Sequence, residues 1–237
     1  MKYHRYLVVG CSMLVAVLGA LNCVLAEDDP PSPGSSGVAG PQVGDKPLSE
    51  LLKDMRSKNR GDQMRAARAL SEAPTNLHAR IMPQVIPVLK SERENDKFVA
   101  AQVLGVYGPI ARSAVPDLLP MLKGTQYERN RAAASKALGQ ILKDAKSDKE
   151  IDEVTTALIE AFKDQYPDVR REAVTACGMI GPAAKACIPK LAPLLNESQG
   201  APCGQSVAAA FTCERMGPLA KEHVDLLSAD YSACLCW

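Results

Sequence analysis

Two stretches decide how this chain of 237 residues is read: VLGVYGPIARSAVPDLLPML at Val103–Leu122 and ACGMIGPAAKACIPKLAPLL at Ala176–Leu195. They match position for position, 73 residues apart (176 minus 103). Half of that spacing is about 36, a period that belongs to helical-repeat arrays, so a further copy is expected between them. It stands in divergent form around Leu138-Gly139, where the Gly-Pro is lost and DAKSDKE is inserted. Further breaks of the same kind occur at Ala73-Pro74 and Gly217-Pro218.

Aligned on these breaks, one column reads Ala66, Ala100, Ala134, Ala173, Ala209, and the column four residues later reads Leu70, Leu104, Leu138, Cys177, Cys213. A spacing of four puts both columns on one helical face. A small residue beside a larger apolar one lets neighbouring helices approach closely. That also accounts for an aromatic share of only 4% against 46% hydrophobic residues. The other helix of each unit ends in an apolar pair: Leu51-Leu52, Val88-Leu89, Met121-Leu122, Ala161-Phe162, Leu194-Leu195 and Leu226-Leu227. Prolines recur as Pro83/Pro116/Pro189 and Pro87/Pro120/Pro193. The first set suits an early helical position, whereas the second is expected to bend the helix or delay its start. No two-helix unit can cover its own apolar face, and stacking buries a continuous core. The expected architecture is all-α: an α-solenoid of antiparallel helix pairs over residues 48–237, with about five full units and a partial sixth.

The stretches LGVYGPIARSAVPDLLPMLK, DVRREAVTACGMIGPAAKACIPKLAPLL and MGPLAKEHVDLL resemble the HEAT-repeat family, particularly its phycobilisome-lyase-like subclass, over about residues 48–228. The resemblance implies a polar ladder in which an Asp and an Arg near the start of each second helix bond internally. Asp168 and Arg170 match that motif, and the equivalent column reads Gln63, Lys97, Arg131, Arg170, Ser206, so the three central units are expected to carry the ladder.

Ahead of the repeats, Met1–Arg5 is a short basic start and Leu7–Ala26 an apolar run, with Val24-Leu25-Ala26 before Glu27. This reads as a signal peptide (1–26) cleaved after Ala26, giving an exported protein, periplasmic, envelope-bound or extracellular. An uncleaved anchor is the alternative, since ~20 apolar residues can just span a bilayer. Val8-Val9-Gly10-Cys11 loosely resembles a lipoprotein box but has too short an apolar run before it. Residues 27–47 are rich in Pro, Gly and Ser and are expected to form a linker without a fold of its own.

The formal charge of +1 gives no general attraction to nucleic acid or anionic membrane. No membrane span is expected after signal cleavage. Residues 46–90 nevertheless hold nine basic and four acidic residues. That excess is either a docking patch for an acidic partner or an ordinary solvated first repeat.

Catalytic chemistry has no visible carrier. There is no phosphate-binding glycine loop, no nucleophile elbow and no His-Glu-x-x-His, and His78 and His223 stand too far apart in the repeat to converge. No enzyme activity, cofactor or metal is expected. Six cysteines fall after the leader: Cys177, Cys187, Cys203, Cys213, Cys234 and Cys236. An even number in an exported chain suggests disulfides. Cys177 and Cys213 stand in the leucine column, where cysteine also packs as a small hydrophobe. They are not expected to bond each other, because equivalent positions on packed helices lie roughly 8–10 Å apart. Cys203 is expected to pair with Cys234 or Cys236, and Cys187 with Cys177 or Cys213; a metal site at Cys234-x-Cys236 is the weaker alternative. The sixth unit is unfinished at Trp237, which fits a docking edge, a dimer contact or a truncated reading frame. Asn196-Glu-Ser198 is a lone glycosylation sequon.

Together these features lead to a non-enzymatic scaffold that binds a protein partner along the groove lined by the second helices. Arg65, Arg68, Lys97, Arg131, Lys136 and Arg170 are the candidate groove residues. The alternatives are a lyase- or chaperone-like subunit acting on a chromophore protein, as the family resemblance implies, and a structural envelope component.

Overall fold

The computed structural model describes residues 41–124, 127–146, 148–196 and 204–220. They form five consecutive helix pairs: α1 (Leu48–Asp54) with α2 (Arg60–Ser71), α3 (Thr75–Val85) with α4 (Glu94–Tyr107), α5 (Val115–Gly124) with α6 (Glu128–Ile141), α7 (Lys149–Ala161) with α8 (Pro167–Ile180), and α9 (Ile188–Asn196) with α10 (Gly204–Met216). Pro218–Ala220 begin another helical turn. The all-α solenoid read from the repeat is the observed architecture.

Local sequence explains where the helices start and stop. Asn59 caps α2, its Oδ1 accepting from the Gly61 N–H at 2.9 Å, and Asp148 caps α7 by accepting from the Ile151 N–H at 3.0 Å. Each Gly-Pro ends a second helix in the same way. Gly108 (φ 59°) and Gly181 (φ 75°) adopt a backbone closed to residues with a Cβ, and a 3₁₀ turn follows at Gly108–Ala114 and Gly181–Cys187 before α5 and α9 begin. The divergent third break reverses the chain with Asp144 instead, at φ 52°, a conformation that aspartate tolerates. The proline columns divide as their helices do. Pro116 and Pro189 are second residues of α5 and α9, and α5 continues through Pro120, whereas α3 gives way to a 3₁₀ turn at Ile86–Lys90 that begins around Pro87.

The second helices α2, α4, α6, α8 and α10 pack on one another in order, each also resting on its own partner helix. The alanine column and the leucine/cysteine column both lie in this core, all ten residues buried. Close approach has a further cause one position after the leucine column. A Cβ on Gly139 would stand 2.6 Å from the Ala176 Cα, and one on Gly178 would stand 2.7 Å from the Thr212 hydroxyl. These glycines let α6 reach α8 and α8 reach α10 with backbones almost in contact.

The expected linker is shorter at its C-terminal end. Gln42–Val43 and Lys46–Pro47 form a two-stranded antiparallel hairpin, Val43 is buried in the core, and the Leu48 N–H donates to Pro41 O at 2.9 Å. The Gly44-Asp45 turn closes this hairpin, with Gly44 at φ 62°. The stretch Glu94–Gly124 is long and apolar enough to cross a membrane by length and composition alone. It divides at Gly108, however, and its apolar side chains Val99, Val103, Leu104, Val115 and Leu118 face the core.

Candidate functional site

The packed second helices leave two faces for side chains other than the core columns, one along the seams between units and one along a groove. Register decides which residue goes where. Counted from the alanine column, the residues two before it are Met64, Phe98, Ala132, Arg171 and Val207, and those two after it are Arg68, Gln102, Lys136, Thr175 and Phe211. Minus two and plus two are four apart and share a face. The groove of about 520 Å³ is lined by seven of these ten, from Met64 and Arg68 on α2 to Arg171 on α8, with Ala67, Ala101, Ala133 and Ala137 between them.

Its lining mixes apolar side chains with four cations, Arg68, Arg129, Lys136 and Arg171, and three carboxylates, Glu128, Asp168 and Glu172. Met64 and Val106 are 40% and 54% exposed and both line the same groove. The Arg129 guanidinium lies 4.7 Å above the Phe98 ring. Arg68 pairs with Glu72 at 2.9 Å, and Arg171 pairs with Asp168 at 3.1 Å. Arg129 and Lys136, two turns apart on α6, have no acidic partner among the described residues.

The positions three before the alanine column behave differently. Gln63 is buried and donates from Nε2 to Asp96 Oδ1 at 2.7 Å and to Met55 O at 3.3 Å. Asp96 also accepts from Ser91 and pairs with Arg93 at 2.7 Å. Lys97 pairs with Glu94 at 2.8 Å, and Glu94 receives the Asn130 amide from the next unit. Arg131 forks onto Asp164 at 2.6 and 3.0 Å, in the turn between α7 and α8. Burial pushes the Asp164 carboxyl up, but the Arg131 hydrogen bonds, the Tyr166 N–H and nearby positive charge outweigh it and hold the group below the ordinary carboxylate range. Arg170 donates to the Asp164 and Gln165 carbonyls at 2.9 and 3.3 Å. At the far end Thr212 Oγ1 donates to Val174 O at 2.9 Å and Arg215 Nε to Gly178 O at 2.7 Å.

Of the six candidate groove residues, Arg68 and Lys136 do line the groove. Lys97, Arg131 and Arg170 do not; they belong to the seam, one helical step of about 100° away. Arg65 is exposed, pairs with Asp62 and does not line the groove either. The ladder exists, but Asp168 is no part of it: its carboxylate is 72% exposed and pairs with Arg171. Asp164 and Asp96 take that role, and the ladder reaches the first unit through Gln63. Arg129, Arg171, Phe98 and Met64 were missed, although their offset from the alanine column is visible in the repeat. Ser206 falls outside the described side chains.

Of the nine basic residues in the first repeat, Lys46, Arg65, Arg68 and Lys90 are ion-paired, and Lys53, Arg56, Lys58, Arg60 and Arg80 have no ion pair among the described residues. Lys46 pairs with Glu50 and Asp54, both at 2.8 Å, and Lys90 with Asp117 at 3.0 Å. His78 is buried; its ring stacks on Tyr107 with centroids 3.9 Å apart, and Nε2 meets Ala73 O at 2.8 Å. That geometry makes it a packing residue. Cys177, Cys187 and Cys213 are buried free thiols; Cys203, Cys234, Cys236 and His223 lie outside the described residues. Among the described residues no three His, Cys, Asp or Glu side chains are placed to hold a metal ion.

No protein-family model matches the chain, and no curated protein matches its sequence. Solved structures do match its fold. An engineered protein is similar over 71% of this chain and 78% of its own, with 19% identity and a TM-score of 0.55. The karyopherin Kap121p bound to the SUMO protease Ulp1p is similar over 77% of this chain at 22% identity and a TM-score of 0.61, and Kap121p bound to Nup53p gives the same values. This chain spans about a fifth of the karyopherin's length, 21% of it. At such identities the likeness establishes a HEAT-like helical-repeat fold.

Proposed function

We propose that this protein is an exported scaffold without chemistry of its own, holding a protein partner along the groove of its second helices. One observation carries the reading: a groove of about 520 Å³ that exposes Met64 and Val106 beside Arg129 and Lys136, cations without an ion pair among the described residues, in a lining that also holds Glu128, Asp168 and Glu172. Apolar side chains exposed together and rimmed by charge mark interaction surfaces. Charge complementarity favours a partner segment with a carboxylate next to a bulky apolar side chain. That the similar karyopherin structures hold other proteins is consistent with this use of the fold.

The test uses the chain from Glu27 onward as bait on its exported fraction, beside a variant carrying Arg129→Glu, Lys136→Glu and Val106→Asp and a control variant Arg80→Glu away from the groove. The expected result is a partner retained by the parent and control chains and lost by the groove variant, with helicity unchanged in all three. A partner captured equally by all of them overturns the groove reading. N-terminal sequencing of the exported chain, expected to begin at Glu27, tests export separately, and a bilin absorbance acquired on incubation would move the reading to the lyase-like alternative.

A further inference from the structure

Arg129 and Lys136 stand seven residues apart on one face of α6, two helical turns or about 10.5 Å along its axis. Both are exposed, and both line the groove. Between them the same face carries Ala132 and Ala133, so α6 offers nothing larger than a methyl there. The carboxylates of the lining leave the two cations free: Asp168 and Glu172 pair with Arg171, and Glu128 pairs with neither Arg129 nor Lys136. Two anionic groups that meet both cations must share one side of their own chain and lie a matching distance apart. In an α-helix laid along α6, positions i and i+7 do so, with the same rise over the same two turns. In an extended strand, side chains return to one side every second residue, at about 6.7 Å and then about 13 Å, and miss that step.

We propose that the groove takes an amphipathic α-helix of a protein partner, lying along α6, whose buried face reads acid-x-x-apolar-apolar-x-x-acid. Carboxylates at i and i+7 meet Arg129 and Lys136. The bulky residues at i+3 and i+4 fall on the same face and settle over Ala132 and Ala133, where the floor leaves room for them. Small residues bring the occupant close to α6 in the way the alanine column brings the second helices close to one another, and the exposed Met64 and Val106 add apolar surface to the same cradle. The inference rests on the groove reading and adds to it the form of the partner segment and the spacing of its charges.

The test titrates the full-length chain into labelled synthetic peptides of about 18 residues, long enough to be helical in isolation, and follows fluorescence anisotropy. The first peptide carries Glu-x-x-Leu-Leu-x-x-Glu in a background of alanine and glutamine. The second moves the later glutamate from i+7 to i+5, away from that face at the same net charge. The third keeps the first sequence but has proline directly after the two leucines, which breaks the helix. The first peptide is expected to bind, the second about fivefold more weakly, the range of one exposed ion pair, and the third more than about tenfold more weakly. On a chain carrying Arg129→Gln and Lys136→Gln, with helicity unchanged, the first two peptides are expected to bind alike. Equal binding of the first and second peptides to the parent chain overturns the charge spacing, and equal binding of the first and third overturns the helical form. Binding by none of them overturns the proposal, as does a preference for the first peptide that survives in the Arg129→Gln, Lys136→Gln chain. The groove reading stands or falls separately, on partner capture by the Arg129→Glu, Lys136→Glu, Val106→Asp variant.

Discussion

Arg129 and Arg131 stand two residues apart on α6 and meet opposite fates. Arg131 is 12% exposed and forks onto Asp164 in the seam, where its guanidinium is held above its ordinary value by that hydrogen bond. Arg129 lies over Phe98 in the groove with no acid opposite it among the described residues. The seam takes up its polar groups in internal bonds, between units for Gln63, Asn130 and Arg131 and within one unit for Lys97 and Arg170, whereas the groove leaves cations and apolar surface available. The chain thus separates what holds the stack together from what it can offer a partner, and substitutions on the two sides are expected to report differently.

The largest effect is expected at the seam glycines. Gly139→Ala ordinarily gains up to about 1 kcal/mol of helix propensity, but here its methyl meets the Ala176 backbone, which cannot move without displacing α8. A net loss of about 2–3 kcal/mol is expected in thermal melts followed by circular dichroism. Gly124→Ala is the control, because its Cβ would meet nothing within 4 Å. If the two variants melt alike, the close-approach account of the seam fails.

Next comes the Arg131–Asp164 pair. Asp164→Asn or Arg131→Gln is expected to cost roughly 2 kcal/mol near neutral pH, the range for hydrogen bonds to charged groups. The sign of the pH dependence follows from the lowered carboxyl. Its contribution is complete above the ordinary aspartate value near ~3.9 and disappears as pH falls through the lower folded value. Urea titrations between pH 7 and pH 2 are therefore expected to show Asp164→Asn losing less stability on acidification than the parent chain. Parallel curves would detach Asp164 from the ladder.

Tyr107→Phe tests a smaller inter-unit bond. The Tyr107 hydroxyl donates to Leu70 O at 2.9 Å from a buried site that pushes its phenol above the ordinary value. Leu70 O keeps the Ala73 N–H at 3.2 Å, so loss of the hydroxyl bond alone is expected to cost about 1 kcal/mol in the same melts. Smallest for stability are Arg129→Glu and Lys136→Glu, expected within about 0.5 kcal/mol of the parent chain. Their effect should appear only in partner capture, and a large loss of stability from either would move α6's outer residues from the groove to the seam.

The helix pairs, their order and both core columns were legible from the sequence because the period repeats with the same side-chain size at the same helical phase. Ala66 through Ala209 are buried as the alignment requires. The candidate site was legible in part. Arg68 and Lys136 were found, while Lys97, Arg131 and Arg170 were assigned to the groove although the same column had been marked for an internal ladder. A basic residue near the start of a second helix has the same appearance on either face until its offset from the alanine column is counted. The Asp168 assignment came from the family motif and failed because Asp168 is exposed and pairs with Arg171, one turn along, while Arg170 donates to the Asp164 and Gln165 carbonyls.

The sequence by itself determined the repeating helix pair and the face each helix turns inward, since periodicity and apolar pattern are properties of one helix at a time. Tertiary structure decided which polar groups meet across units: Gln63 with Asp96, Asn130 with Glu94, and Arg131 with an aspartate 33 residues on. It also decided that residues 41–47 fold back as a hairpin, and that Gly139 and Gly178 are contact points between helices. The physical reason is that such contacts depend on the offset between neighbouring units. That offset is set by how closely two backbones can approach and by where each turn releases the chain, and neither is written in the phase of a single helix.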